Sequence, residues 1–130
     1  TDLEKTEINR DLVTAFAQKV QVERQHDLMK SFVNEDLIQH DPERGDGVAA
    51  LRASLEALWT DGTPRIAYQR VHRVLAEGNF VLCMSEGHKD GLQSGVYDLF
   101  RVAEGKIAEQ WNTVSPIAPR GEWKNENGKF

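Results

Sequence analysis

The chain has 130 residues, with 21 acidic against 16 basic side chains and a formal net charge of -5. That length is one domain, 1–130, and the acidic balance with scattered basic residues excludes a nucleic-acid surface. A domain of this size buries roughly two-thirds of its unfolded surface without disulfides. The single cysteine, Cys83, lies inside a predicted strand and is expected to be a buried structural thiol. No apolar run approaches a membrane span, and no signal-peptide core is present, so a cytoplasmic protein is expected.

A first helix is expected from about Leu3 to Glu23. Ile8, Leu12, Phe16 and Val20 recur every four residues, Val13 and Ala17 widen the stripe, and Asn9, Arg10, Gln18 and Lys19 take the wet side. Thr1 and Glu4 have the spacing of a capping box. A shorter helix carries Leu28, Met29, Phe32 and Val33 and ends near Asn34. Pro42 holds Asp41 extended, which places His40 on a strand-like or irregular segment. Asp46 is the expected cap of a third helix, whose stripe is Val48, Leu51, Leu55 and Leu58 with Trp59 beside it. Residues 60–64, TDGTP, end that helix.

From Arg65 the period switches to alternation. RIAYQRVHRVLAE predicts a long strand with Ile66, Tyr68, Arg70, His72, Val74 and Ala76 on one face. Gly78-Asn79 turns the chain into a second strand, FVLCMSEGHK, and a flexible loop, DGLQSG, follows it. Two further strands meet at a tight turn, Glu104-Gly105. Three helices followed by at least four antiparallel strands make an α+β fold, with the sheet curled around the first helix and a pocket in the concave space. Beyond Pro116 the tail is polar, and it is expected either to dock through Trp123 and Phe130 or to fray.

The last hairpin singles out a site. A two-residue turn sets Val102 opposite Ile107, and the continued register sets Phe100 opposite Glu109 and Asp98 opposite Trp111. Asp98, Phe100, Val102, Ile107, Glu109 and Trp111 then share one face. A carboxylate among rings must be paired, protonated or functional. Proton abstraction beside a carbonyl needs a base lifted toward neutrality, and an apolar wall of Phe100 and Trp111 supplies that lift. The competing reading is an ion pair with Arg70, Arg73 or Arg101. His72 and His88 are the candidates to orient Asp98 or to donate to a developing enolate oxygen, and the Tyr68 hydroxyl suits the same role. His40 either fixes the loop before Pro42 or touches ligand, and His26 is expected at the surface. There is no HExxH, CxxC, dinucleotide fingerprint, phosphate-binding GKS or GKT, or nucleophile elbow. Neither a metal nor an organic cofactor is expected.

The segments LIQHDP, VHRVLAEGNFV, YDLFRVAEGKIAEQWN and NGKF resemble the SnoaL-like polyketide-cyclase group of the nuclear-transport-factor-2-like superfamily. The resemblance spans most of the chain. It implies a cone-shaped α+β barrel, three N-terminal helices packed in a strongly bent, mainly antiparallel sheet, with a deep pocket and a homodimer across the outer sheet. It also implies aldol-type ring closure without cofactor, with Asp98 matching the acid/base aspartate and His72 or His88 its partner. Relatives of this type often read HSH where this chain has Met84-Ser85-Glu86, and EHWD where it has Glu109-Gln110-Trp111-Asn112. Two functions therefore stand side by side. One is a cofactor-free acid/base enzyme acting on a small, largely apolar carbonyl compound, with His40, Tyr68, Phe100 and Trp111 lining its pocket. The other is a non-catalytic ligand-binding or dimeric accessory domain.

Overall fold

In the computed structural model, which describes residues 2–130, helix α1 (Asp2–Phe16) runs on as a π-helical segment, Ala17–Val22. The expected Thr1–Glu4 cap lies outside the described residues. The buried side of this rod is Asn9, Val13, Phe16, Ala17, Val20 and Gln21. It is displaced from the expected stripe: Ile8 is 64% exposed. Asn9, assigned to the wet face, instead turns inward and donates to the Gly78 carbonyl at 2.8 Å. The Thr6 hydroxyl accepts from the Gly78 amide, so a hairpin turn pins the helix where an apolar stripe alone would have rotated it.

A 3₁₀ turn, His26–Leu28, leads into the short helix α2 (Met29–Phe32), which passes directly into strand β1 (Val33–Gln39). His26 is largely covered rather than on the surface, with Nδ1 3.4 Å from Glu56. Burial, ahead of the nearby Arg24 charge, holds its pKa below the usual histidine value. Helix α3 (Val48–Glu56) buries Val48, Leu51 and Leu55, while Leu58 lies beyond it and is exposed. Its N-cap is Gly47, and Asp46 does not cap it. The Asp46 carboxylate accepts the Gln39 amide instead, at 2.9 Å. Arg24, in the left-handed region (φ 58), donates to the Leu55 and Ile66 carbonyls and ties the end of α3 to the next strand.

Strands β2 (Ile66–Glu77), β3 (Phe80–Lys89), β4 (Leu92–Ala103) and β5 (Lys106–Pro116) form an antiparallel meander, and the five-stranded order is β1-β5-β4-β3-β2. Strand β1 joins the edge parallel to β5, so the sheet is mixed but mainly antiparallel. No loop separates β3 from β4: Asp90 and Gly91, both at positive φ, close a two-residue turn. The Glu104-Gly105 turn forms as its sequence predicts.

The helices pack on the concave side of a strongly curled sheet, and the core lies between them. Phe16 meets Phe100 edge to face at 5.7 Å, and both are buried. Each contributes roughly 1.5–3 kcal/mol through burial. On the convex side the tail is docked by its last residues: Tyr97 donates to the Lys129 carbonyl, and Phe130 stacks on His72. Among the described residues no helix is long and apolar enough to cross a membrane.

A buried carboxylate network on the inner sheet face

Asp98 sits on the inner face of β4 and is fully buried. Its Oδ1 accepts from Gln110 Nε2 at 3.0 Å and from Asn112 Nδ2 at 2.5 Å. Its Oδ2 accepts from the Tyr68 hydroxyl at 2.7 Å and, more loosely, from Gln21 Nε2 at 3.4 Å. All four donors are neutral. Among the described residues no lysine, arginine or histidine forms an ion pair with it. The arginines proposed as structural partners lie elsewhere. Arg101 pairs with Glu109, Arg73 donates to the Phe130 carbonyl, and Arg70 is exposed opposite Glu86.

A bulge builds this arrangement. Val102 faces Ile107 as the turn dictates, but Arg101 faces Glu109, which leaves Ala108 unopposed. Every later pair is shifted by one: Phe100 faces Gln110 and Asp98 faces Asn112. The slip exchanges the faces of β5. Gln110 is fully buried beside Asp98, whereas Glu109 and Trp111, expected there, lie on the convex face. Phe100 keeps its predicted inner position.

Two bulges in β2, between Tyr68 and Arg70 and between Val71 and Arg73, likewise break the expected alternation. Tyr68 points inward, but His72 points outward. Its Nε2 is 2.9 Å from Glu86, and its ring stacks on Phe130 at 4.1 Å. His88 is also on the outer face, bonded to Gln69 at 2.9 Å. His40 stacks on Trp111 at 4.6 Å and places Nε2 2.6 Å from Glu109. The Glu109 carboxyl is held below the usual range, first by Arg101 and then by His40. The three candidate histidines therefore belong to convex-face clusters, and none bonds to Asp98. Tyr68 alone among the candidates reaches it.

Sequence reasoning missed Gln21, Gln110, Asn112 and Arg44. Gln21 had a signal: it continues the buried stripe of Val13 and Ala17, where a polar side chain needs a buried partner. It lies in the π-helical segment, a geometry that recurs at functional sites. Gln110 is oriented by Gln39, which donates to its Oε1 at 2.8 Å. Gln39 in turn accepts the Asp41 amide. Asp41 pairs with Arg44 at 3.5 Å, and the Arg44 charge acts on Tyr68. The network thus closes on itself through the loop after β1. Three of its neighbourhood's buried polar atoms lack a protein partner: Gln21 Oε1, Ser85 Oγ and Arg44 Nη1. Buried polar groups are rarely left so.

Burial, then the Asp98 charge, raises the Tyr68 phenol well above 10, so it stays a donor. Cys83 faces Asp98 across β3–β4, and burial followed by that same charge pushes its thiol up to about 12. Both shifts favour the protonated native state. Their stabilisation is complete below the unfolded values and is lost as pH rises, from about 9 toward 12 for Cys83 and from about 10 upward for Tyr68. The urea midpoint should therefore fall steadily above about pH 9, and Cys83 should resist a thiol reagent at pH 8 until the protein is unfolded. A flat midpoint to pH 11 counts against the assignment.

Among the described residues no three His, Cys, Asp or Glu side chains converge as metal ligands. What the inner face offers is a desolvated carboxylate with a phenol beside it. Such a pair can accept, hold and return a proton.

The curled sheet over N-terminal helices is the fold of the nuclear-transport-factor-2-like proteins. An NTF2-like protein of unknown function from Burkholderia xenovorans matches with a TM-score of 0.72 and 20% identity over 95% of this chain and 98% of its own. A Kribbella flavida protein provisionally described as a ketosteroid isomerase gives 0.74 and 15% over 96% and 94%. An LEH-like epoxide hydrolase of M. tuberculosis gives 0.62 and 21% over 85% and 84%. Residues 10–110 match the SnoaL-like domain, and the chain belongs to that family. No curated protein matches it.

Proposed function

We propose that the protein is a cofactor-free acid/base enzyme of cyclase or isomerase type, acting on a small, largely apolar carbonyl compound. Asp98 takes a proton from the carbon beside the carbonyl and returns it elsewhere on the same molecule. Tyr68, turning its one O–H from Asp98 to the ligand, holds the oxygen on which charge develops, the role the sequence offered to it alongside His72 and His88. The observation that carries this reading is a fully buried carboxylate with four neutral donors and no cation. An ion pair would be the ordinary structural solution, whereas a buried carboxylate held by neutral hydrogen bonds alone, in a cleft-bearing fold, is a candidate for acid/base work. The long Gln21 contact is the one a ligand displaces most easily. Structural neighbours described as isomerase and hydrolase support an enzyme, although at these identities they speak for the fold.

A specific observation favours a second reading, a non-catalytic binding domain: Asp98 has no exposed surface and both its oxygens are bonded. Deuterium exchange beside the carbonyl, followed by NMR over a panel of small ketones and keto acids, separates the two. Acceleration by the wild type that drops by about 100-fold in Asp98→Asn supports base catalysis. Compounds that bind without exchanging would make this a binding domain.

The proposal includes a homodimer across the convex face, where Leu99, Arg101 and Ala108 lie with the His40–Trp111 stack and the half-exposed Phe80. Sedimentation at micromolar concentration should give twice 14.7 kDa. A clean monomer would refute it.

A further inference from the structure

A cleft of about 450 Å³ opens at the loop after β1, lined by Glu43, Arg44, Ser54, Arg65, Ile66 and Lys89 among others. Its lining is cationic, with three basic side chains against one acid. Two of the cations are already engaged. Lys89 pairs with Glu43 at 2.9 Å, and Arg65 lies between Asp90 and the Trp59 ring. Arg44 differs from both. Its side chain is only 5% exposed, its ion pair with Asp41 is long at 3.5 Å, and its Nη1 has no partner. A guanidinium out of water with one end unmatched is costly unless a complementary anion meets it. The planar fork of arginine matches carboxylate and phosphate oxygens, and of these a carboxylate is the group a small carbonyl compound carries. Glu43, 71% exposed, holds Lys89 by a rim pair of little strength and can swing away to free a second donor.

Arg44 pairs with Asp41, the Asp41 amide donates to Gln39, Gln39 donates to Gln110, and Gln110 donates to Asp98. The cleft and the buried carboxylate are therefore two ends of one polar path. We infer that the natural ligand is a carboxylate-bearing carbonyl compound, its carboxylate held in this cleft by Arg44 with Lys89 and its carbonyl end directed toward Tyr68 and Asp98. The last clause rests on the acid/base reading above, whereas the carboxylate site stands without it. A carboxylate placed here also explains how an enzyme with a buried base selects its substrate: the charge anchors at the cleft and leaves the neutral end to enter the interior.

The test uses levulinate, a stable keto carboxylate, and its uncharged methyl ester. In isothermal titration of the whole protein at low salt, levulinate should bind at least about 10-fold tighter than the ester. Its addition should shift the NMR signals of the Arg44 side chain and of Ser54 and Ile66. Arg44→Gln should bring the two ligands within about 2-fold, and Lys89→Met should narrow the gap without unfolding risk at Asp41. Asp98→Asn should keep the preference, so a lost exchange activity and a lost carboxylate site are separate results. Equal binding of acid and ester, no binding of either at millimolar concentration, or a preference that survives Arg44→Gln overturns the inference. So does a set of shifted signals that lies away from the cleft.

Discussion

Asp98→Ala is expected to cost roughly 4 kcal/mol or more, and Asp98→Asn about 1 kcal/mol or less, although both remove the same charge. The difference lies in the donors. Alanine leaves Tyr68, Gln110, Asn112 and Gln21 aimed at nothing, in a site with no exposed surface. Each unpaired buried donor costs about 1–3 kcal/mol, and the sum approaches the whole stability of a small domain. Asparagine keeps an oxygen for Gln110 and Asn112. Its new amide faces Tyr68, whose hydroxyl can accept, and Gln21, whose unpartnered Oε1 can turn to meet it. The loss of one buried charge further offsets the cost. Urea unfolding measures both variants, and the asparagine variant should stay folded while losing exchange activity by two orders of magnitude. An asparagine variant that unfolds as readily as the alanine one would mean that the carboxylate's charge is structural.

Periodicity carried the architecture and register did not. The switch from 3.6 to 2 at Arg65 separates helices from sheet, and Glu104-Gly105 fixes the last hairpin, because both signals are local in sequence. The bulge at Ala108 leaves no such mark. A single unopposed residue turned Gln110 and Asn112 inward and sent Glu109 and Trp111 out. The sequence placed Asp98 and Phe100 correctly because the extra residue is in β5, which leaves the alternation along β4 unbroken. His72 moved for the same reason, at the first bulge of β2. Strand β1 was hidden by its composition: in VNEDLIQ only Val33 and Leu37 are buried, too sparse an alternation to read. Arg44 had no signal at all, since a loop arginine is buried only by the fold that closes over it. The polar positions that differ from HSH and EHWD pointed toward lost chemistry, yet Gln110 and Asn112 are the residues that hold the aspartate. Their meaning depended on which face they occupied.

Gly87→Ala should be nearly as damaging as the loss of the carboxylate network, through the backbone rather than through charge. Gly87 lies on the inner face of β3 directly opposite Tyr68, at the first bulge of β2. A methyl group there would stand 2.1 Å from the Ala67 carbonyl oxygen and 3.1 Å from the Tyr68 Cα. Neither is the end of a flexible side chain, so β2 itself has to move. Overpacking of this kind costs about 3 kcal/mol, which lowers the melting temperature by roughly 10 °C in a domain of this length. The displacement falls on the residue that donates to Asp98 at 2.7 Å. Exchange activity should therefore drop in whatever fraction remains folded, a loss that destabilisation alone does not produce below the melting transition. Gly121→Ala is the control. It has open space around it and no positive φ, so its melting temperature should match the wild type. If Gly87→Ala also melts with the wild type and keeps its exchange rate, then β2 and β3 do not approach this closely. Tyr68 would then be positioned by something other than the glycine opposite it.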